Sequence, residues 1–204
     1  PASMKAINFL KPVLGLEFTA TPKSTNNVIY AYDLARGAVE GYLKTPVVMG
    51  RSNMAGYRSE DIEEMKIRDG LTLHEHRKGV IRQFCGDNAL PYVKPIVLIA
   101  CRDTNHAKEV RALIDSDSFL GGKYKGKVIE IHSNMKGDES EENIRLLLSI
   151  ENAQNPVEIV LHVYKLKEGW DVNNLFTIIP LNAAKSDILA MQTIGRGLRL
   201  PFGR

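Results

Sequence analysis

A chain of 204 residues with 44% hydrophobic content can bury one good core, or one core and part of another. Its formal net charge of +3 permits a nucleic-acid partner but is too small to argue for one, so local patches must decide. Two cysteines, Cys85 and Cys101, in no C-x-x-C spacing exclude a disulfide framework and a cysteine metal cluster. A reducing, cytoplasmic setting is the expectation, and no apolar run nears the roughly 18 residues of a membrane span.

The first apolar run, "PVLGLEFTATP", places Val13, Leu14, Leu16 and Phe18 in a predicted strand that ends in a Thr-Ala-Thr tip closed by Pro22. "NVIYAYDLARGAVEGYLKTPVV" predicts a short strand around Val28 to Tyr32, then a helix through Leu34, Ala38 and Tyr42 that stops before Pro46. Residues from about Gly50 to Leu90 are charge-rich, with "RSEDIEEMKIRDG" and "LHEHRKGVIRQF", and show helical spacing without a strong apolar stripe. They read as an inserted helical segment, a partner surface or a solvated cap.

Beyond Pro95 the pattern becomes regular. "PIVLIACR" is an almost wholly apolar strand, Asn105 to Ile114 a helix, "KVIEIHS" a strand, and Glu141 to Ile150 a helix. The strands "VEIVLHVY" and "LFTIIPL" and a last helix from Ser186 follow. Apolar strands alternating with amphipathic helices predict an α/β domain, a parallel sheet with helices on both faces, because crossover helices must cover the strands they join. Such sheets bind ligands at the carboxyl ends of their strands. The residues found there are Thr19 and Thr21, Arg102 to Asn105, His132 to Asn134, and Lys165 to Asp171.

In "QTIGRGLRLPFGR", helical projection puts Gln192, Arg196 and Arg199 on one stripe and Met191, Ile194 and Leu198 on another that can face the core. A solvated basic face is the ordinary reading of such arginines. Gly195 and Gly197 weaken it, since each costs a helix about 1 kcal/mol relative to Ala unless a backbone or a phosphate comes close. Two planar guanidiniums on one face suit a triphosphate. In "KEGWDV", Gly169 permits a sharp turn, Asp171 offers a carboxylate, and Trp170 plugs the gap beneath.

Other signals carry less. His74 and His76 lack a third ligand at metal spacing, so no metal site is expected. "GGKYKGK" departs from G-x-x-x-x-G-K-[ST] and follows no apolar strand, which leaves a solvated basic turn, with DNA backbone contact as the lesser option. Glu64 and Lys66 in "EEMK" lack an upstream acid on a strand. The chain contains no Walker A loop and no D-E-x-[HD] box after an apolar strand, so nothing in it holds Mg-ATP alone.

In order, "LGLEFTATP", "KPIVLIACRDTNHA", "VIEIHSN", "LHVYKLKEGWDVNNL" and "QTIGRGLRLPFG" resemble the later motifs of superfamily 2 helicases, and most closely the restriction (Res) subunit of type III restriction enzymes. "EFTATP" is similar to motif III, "KEGWDV" to motif V and "QTIGRGLRLP" to motif VI. The resemblance implies a RecA-like (P-loop NTPase-like) fold, with residues 1–27 as the tail of a first RecA-like domain. Residues 28–204 would be the second, carrying the charged helical insertion at about 50–90.

It implies further that Arg196 and Arg199 reach the phosphates of ATP, with Gln192 ordering the site. Gly169, Asp171 and Gly195 would line the nucleotide cleft, and Thr19 and Thr21 would couple phosphate state to domain closure. Arg102, Thr104, His132, Ser133 and Asn134 would contact the DNA backbone. ATP and Mg would be held mainly by the first domain, upstream, with an endonuclease domain downstream. The implied partners are double-stranded DNA, the methyltransferase subunit of the restriction system and that first domain, with no membrane. Two alternatives stand beside this: a non-catalytic DNA-binding or interaction domain with a motor fold, and a motor from another superfamily 2 helicase, of repair or type I restriction.

Overall fold

The computed structural model describes residues 7, 9–19, 22, 26–132, 138–163, 170–181 and 193–203. The chain divides into two compact units, Pro1–Tyr32 and Asp33–Arg204.

In the N-terminal unit, the described residues form no strand. Val13, Leu14, Leu16 and Phe18 are exposed, and so are Val28 to Tyr32, where a strand is also predicted. An apolar run becomes a strand only when a neighbour takes up its backbone donors and acceptors, and no second strand stands among the described residues of this unit. Asn26 Nδ2 donates to Glu17 Oε2 at 3.1 Å.

The larger unit opens with helix α1 (Leu34–Val39), capped by Asp33 Oδ1 accepting Arg36 N–H at 2.7 Å. Helix α2 (Ser59–Asp87) follows, then β1 (Ile96–Cys101), α3 (Thr104–Ile114), β2 (Val128–Ile131), α4 (Asp138–Leu148), β3 (Ile159–Val163) and β4 (Leu175–Pro180). The four strands form one sheet in the order β2-β3-β1-β4, and every pairing is parallel. Each β-to-β step therefore needs a crossover, and α3 and α4 lie within the crossovers from β1 to β2 and from β2 to β3.

All six residues of β1 are buried, and alternate residues divide between two cores. On one face Val97, Ile99, Cys101, Ile159, Leu161 and Ile179 meet Ile67 and Leu71 of α2 and Ala107, Val110 and Ile114 of α3. On the other, Ile96, Leu98, Ile129, Ile131, Val160 and Leu175 meet Leu147 of α4, Ile150, Trp170 and Val172.

The charged stretch expected to be helical is α2, and it is an integral layer of the fold. Its buried residues, Ile67, Leu71, His74, Ile81 and Cys85, recur at intervals of four, three, seven and four, a seam too narrow to stand out among the charges. A Cβ on Gly70 would lie 2.5 Å from Ile179 Cδ1, so this glycine lets the helix approach β4, whereas Gly79 faces open space.

Two charges of α2, Glu75 and Lys78, are committed to the amino-terminal ends of the strands. Lys78 Nζ donates to Glu158 Oε2 at 2.6 Å, Lys127 Nζ to Glu158 Oε1 at 2.8 Å, and Tyr124 hydroxyl to Glu75 Oε1 at 2.6 Å. Lys123 also pairs with Glu75 at 2.6 Å and Lys125 with Asp117 at 2.9 Å, so the lysines of "GGKYKGK" serve local pairing and Tyr124 is core. His74 is wholly buried, and its Nε2 lies 3.7 Å from Glu158, too far for a hydrogen bond. Among the described residues no cluster fit for a metal ion occurs, and no helix is long and apolar enough to cross a membrane.

Burial alone would raise the carboxyls of this network, but their cation and hydroxyl partners outweigh it. Glu75 is held at about 2, and Glu158 lies well below the ordinary carboxylate range. Both folded values lie below the unfolded 4.5, so the unfolded chain binds more protons as pH falls. The stabilisation is complete above that value and lost on acidification toward about 2. Thermal midpoints measured against pH should show this limb, and Glu158→Gln should flatten it while lowering stability at neutral pH by about 1–3 kcal/mol. In denaturant titrations, Gly70→Val should cost about 1–3 kcal/mol through overpacking. Gly79→Ala, on the open face of the same helix, should gain up to about 1 kcal/mol.

Candidate functional site

The segment that leads into β4 is fastened at several points. Trp170 and Val172 are buried in the second core, and Asn174, 1% exposed, donates through Nδ2 to the Lys94 carbonyl at 2.9 Å. The Asn174 carbonyl accepts Ile96 N–H at 3.0 Å, and Asn173 N–H donates to Glu151 Oε1 at 2.8 Å. Trp170 thus plugs the core as its sequence context suggests, and Asp171 is left pointing outward, with its side chain 70% exposed.

Residues 193–197 are helical, Leu198 is buried in a turn, and Arg199 forms an isolated antiparallel bridge with Leu43. Arg196 and Arg199 therefore do not share the helical stripe expected for them, because the helix ends before Arg199, and Gln192 lies outside the described residues. Pro201 disfavours helical geometry in the residue before it, and the bridge to Leu43 holds Arg199 extended.

The two arginines converge nonetheless. The Arg196 guanidinium donates to the Trp170 carbonyl and the Arg199 guanidinium pairs with the Asp171 carboxylate, so both reach adjacent residues of one segment. Gly197 owes its identity to packing: a Cβ there would lie 2.9 Å from Ile178 Cδ1. Gly195 faces open space, leaving the surface beside Arg196 uncrowded.

His162, near the carboxyl end of β3, was not singled out by sequence reasoning. It is 4% exposed, neither ring nitrogen makes a hydrogen bond, and it stands in register with Ala100 and Ile131. Burial and, secondarily, the Arg196 charge push it down to about 4, so the imidazole is neutral at physiological pH. Its signal is a histidine inside the otherwise apolar run "IVLHV".

At the carboxyl end of β1, Asp103 caps α3 by accepting His106 N–H at 2.9 Å, and Thr104 opens that helix. Arg102 N–H donates to His106 Nδ1 at 3.1 Å, so the imidazole proton sits on Nε2 and points to Glu63 Oε2, 3.1 Å away. The Arg102 guanidinium takes the other Glu63 oxygen. Arg102 is thus already paired with α2, a contact hidden from sequence reading because Glu63 lies 39 residues earlier. His132 is half-buried with Nδ1 unbonded. Thr19 is exposed in the N-terminal unit. Thr21, Ser133, Asn134, Gly169 and Gln192 lie outside the described residues.

An all-parallel sheet with helices on both faces is a RecA-like α/β arrangement. Over 107 residues, 49% of this chain, it is 38% identical to the Type III restriction-modification enzyme EcoPI Res subunit of Escherichia phage P1. Over 73 residues, 32% of the chain, it is 38% identical to the EcoP15I Res subunit of Escherichia coli. These similarities support kinship with Res subunits. The matched regions cover 10% and 7% of those two relatives, so the chain spans a small part of their length. The chain matches no protein-family profile.

The two glycines of the arginine segment should respond oppositely to a methyl group. Gly197→Ala is expected to lower stability by about 1–3 kcal/mol by pressing on Ile178. Gly195→Ala should hold or slightly raise it, as read by chemical denaturation of the two variants side by side.

Proposed function

We propose that residues 28–204 are the second RecA-like motor domain of an ATP-dependent DNA translocase of the type III restriction kind, and that residues 1–27 are the tail of the first. Arg196 and Arg199 then serve as the arginines that reach ATP phosphates, with Mg and the triphosphate held mainly by the first domain of the same polypeptide. Gln192 orders them, and Gly169, Asp171 and Gly195 line the cleft. Thr19 and Thr21 couple phosphate state to domain closure.

The observation that carries this reading is the convergence of two guanidiniums on Trp170 and Asp171 beside the open Gly195 surface. Asp171 holds Arg199 at the surface, where the pair is weak and readily exchanged. A triphosphate offers more charge and more acceptor oxygens than one carboxylate, so Arg199 can move from Asp171 to phosphate when ATP arrives. Motor action follows from cleft closure on ATP and reopening after hydrolysis.

Duplex DNA is the proposed track, contacted by Arg102, Thr104, His132, Ser133 and Asn134, and a methyltransferase subunit the proposed partner. Of these contacts, Arg102 must first exchange Glu63 for phosphate, whereas His132 has an unbonded nitrogen.

The 204-residue chain alone should hydrolyse no ATP, because it has no Walker A loop. In the full-length protein, Arg199→Ala should lower DNA-stimulated ATP hydrolysis by about 10³-fold or more. Steady-state turnover with and without duplex DNA measures it, and a variant as fast as wild type would refute the assignment.

A further inference from the structure

The arginine segment is held in place by a residue far away in sequence. After α1 the chain turns at Gly41, with φ at 76°, and Tyr42 N–H donates to the Gly37 carbonyl at 2.8 Å. Leu43 then bridges Arg199, and Lys44 N–H donates to the Leu198 carbonyl at 2.7 Å. The Lys44 side chain continues across the edge of the sheet. Its Nζ donates to the Leu175 carbonyl at 2.7 Å and the Asn173 carbonyl at 3.2 Å, and lies 4.0 Å from the centre of the Phe176 ring.

One residue thus joins three pieces of chain: its own strap, the arginine strand at 198–199, and the 173–176 segment just beyond Asp171. Among the described residues β4 is an edge strand, so these carbonyls have no further strand to bond, and the ammonium takes that place. The side chain thereby adds an attachment to the 173–176 segment beside the backbone bridge and the Arg199–Asp171 pair.

We propose that Lys44 is a positioning residue that sets the Arg199 guanidinium against the nucleotide cleft by clamping the 198–199 strand to the edge of β4. The assignment rests on the reading of Arg199 as a phosphate-directed arginine, and Lys44 itself touches no substrate.

The clamp has its own titration. Burial, and after it the charge of Arg77 on α2, lowers Lys44 from 10.5 to about 8. Among the described residues its ammonium contacts the Phe176 ring and the carbonyls of Asn173 and Leu175, none of which titrates. Above about 8 the amine keeps two N–H donors but loses charge assistance and the cation–π contact. Between 8 and 10.5 the unfolded chain binds the extra proton, so discharge of Lys44 raises folding stability while loosening the clamp. A merely structural lysine would not separate these two effects.

The test measures kcat and KM for DNA-stimulated ATP hydrolysis in the full-length protein, with wild type, Lys44→Met, Lys44→Arg and Arg199→Ala. Lys44→Met should lower kcat about tenfold with KM changed less than about twofold, since a misplacement of about 1 Å is costly in the transition state. Wild-type kcat should decline as pH rises through about 8, while Lys44→Arg, which keeps its charge, should not show that limb.

Unchanged kcat in Lys44→Met, or the same alkaline limb in Lys44→Arg, overturns the positioning role. If Arg199→Ala still abolishes turnover in that case, the reading of the site survives. Wild-type turnover by Arg199→Ala removes that reading and the positioning role with it. Should Lys44→Met fail to fold, the pH profile of Lys44→Arg decides alone.

Discussion

A parallel sheet buried on both faces governs where every polar group in the larger unit can go. The six residues of β1 leave no solvent-facing side, and β2 and β3 are buried throughout, whereas β4 is partly exposed. A charge inside such a sheet needs a partner, as Glu130 of β2 has in Arg111 at 3.4 Å, and most other polar chemistry collects at the strand ends and along the edge of β4. The amino-terminal ends gather Lys94, Lys127, Glu158 and Asn174, all hydrogen-bonded. The carboxyl ends gather Arg102, His132 and His162, of which both histidines keep unbonded ring nitrogens.

That asymmetry separates stability from chemistry. At the amino-terminal ends each cation has a carboxylate or carbonyl, and only His74 and Asn174 Oδ1 stay without a hydrogen bond among the described residues there. The arginine segment is different: Arg199 is held by an exposed carboxylate, and Arg196 by one backbone carbonyl, with a neutral buried histidine in reach of its charge. Such groups can change partners at little cost, which is what a site that alternates between occupied and empty states requires.

The central strands were legible because a fully buried parallel strand is a continuous apolar run, and the four runs from Ile96 to Pro180 contain few polar interruptions. The helices between them followed from ordinary amphipathic spacing. What was not legible depended on partners distant in sequence. "PVLGLEFTATP" has the composition of a strand but no neighbour among the described residues of its unit. The packing of α2 was concealed because its seam is one residue wide, and the end of the last helix because Leu43 lies more than 150 residues before Arg199. Lys44 finds its acceptors 129 and 131 residues away, so no local pattern could have marked it. Arg196 and Arg199 converge on one segment from two different backbone conformations, where a single helical stripe was expected.

Helix α2 reaches from Glu63, which holds Arg102 and His106, to Phe84, whose ring lies 5.4 Å from that of Phe202 just past the arginine strand. Those contacts are separated by roughly 30 Å of continuous helix at 1.5 Å per residue. Between them Ile67 and Leu71 pack on the sheet and Lys78 pairs with Glu158, so one continuous helix borders both the corner where β1 meets α3 and the arginine segment.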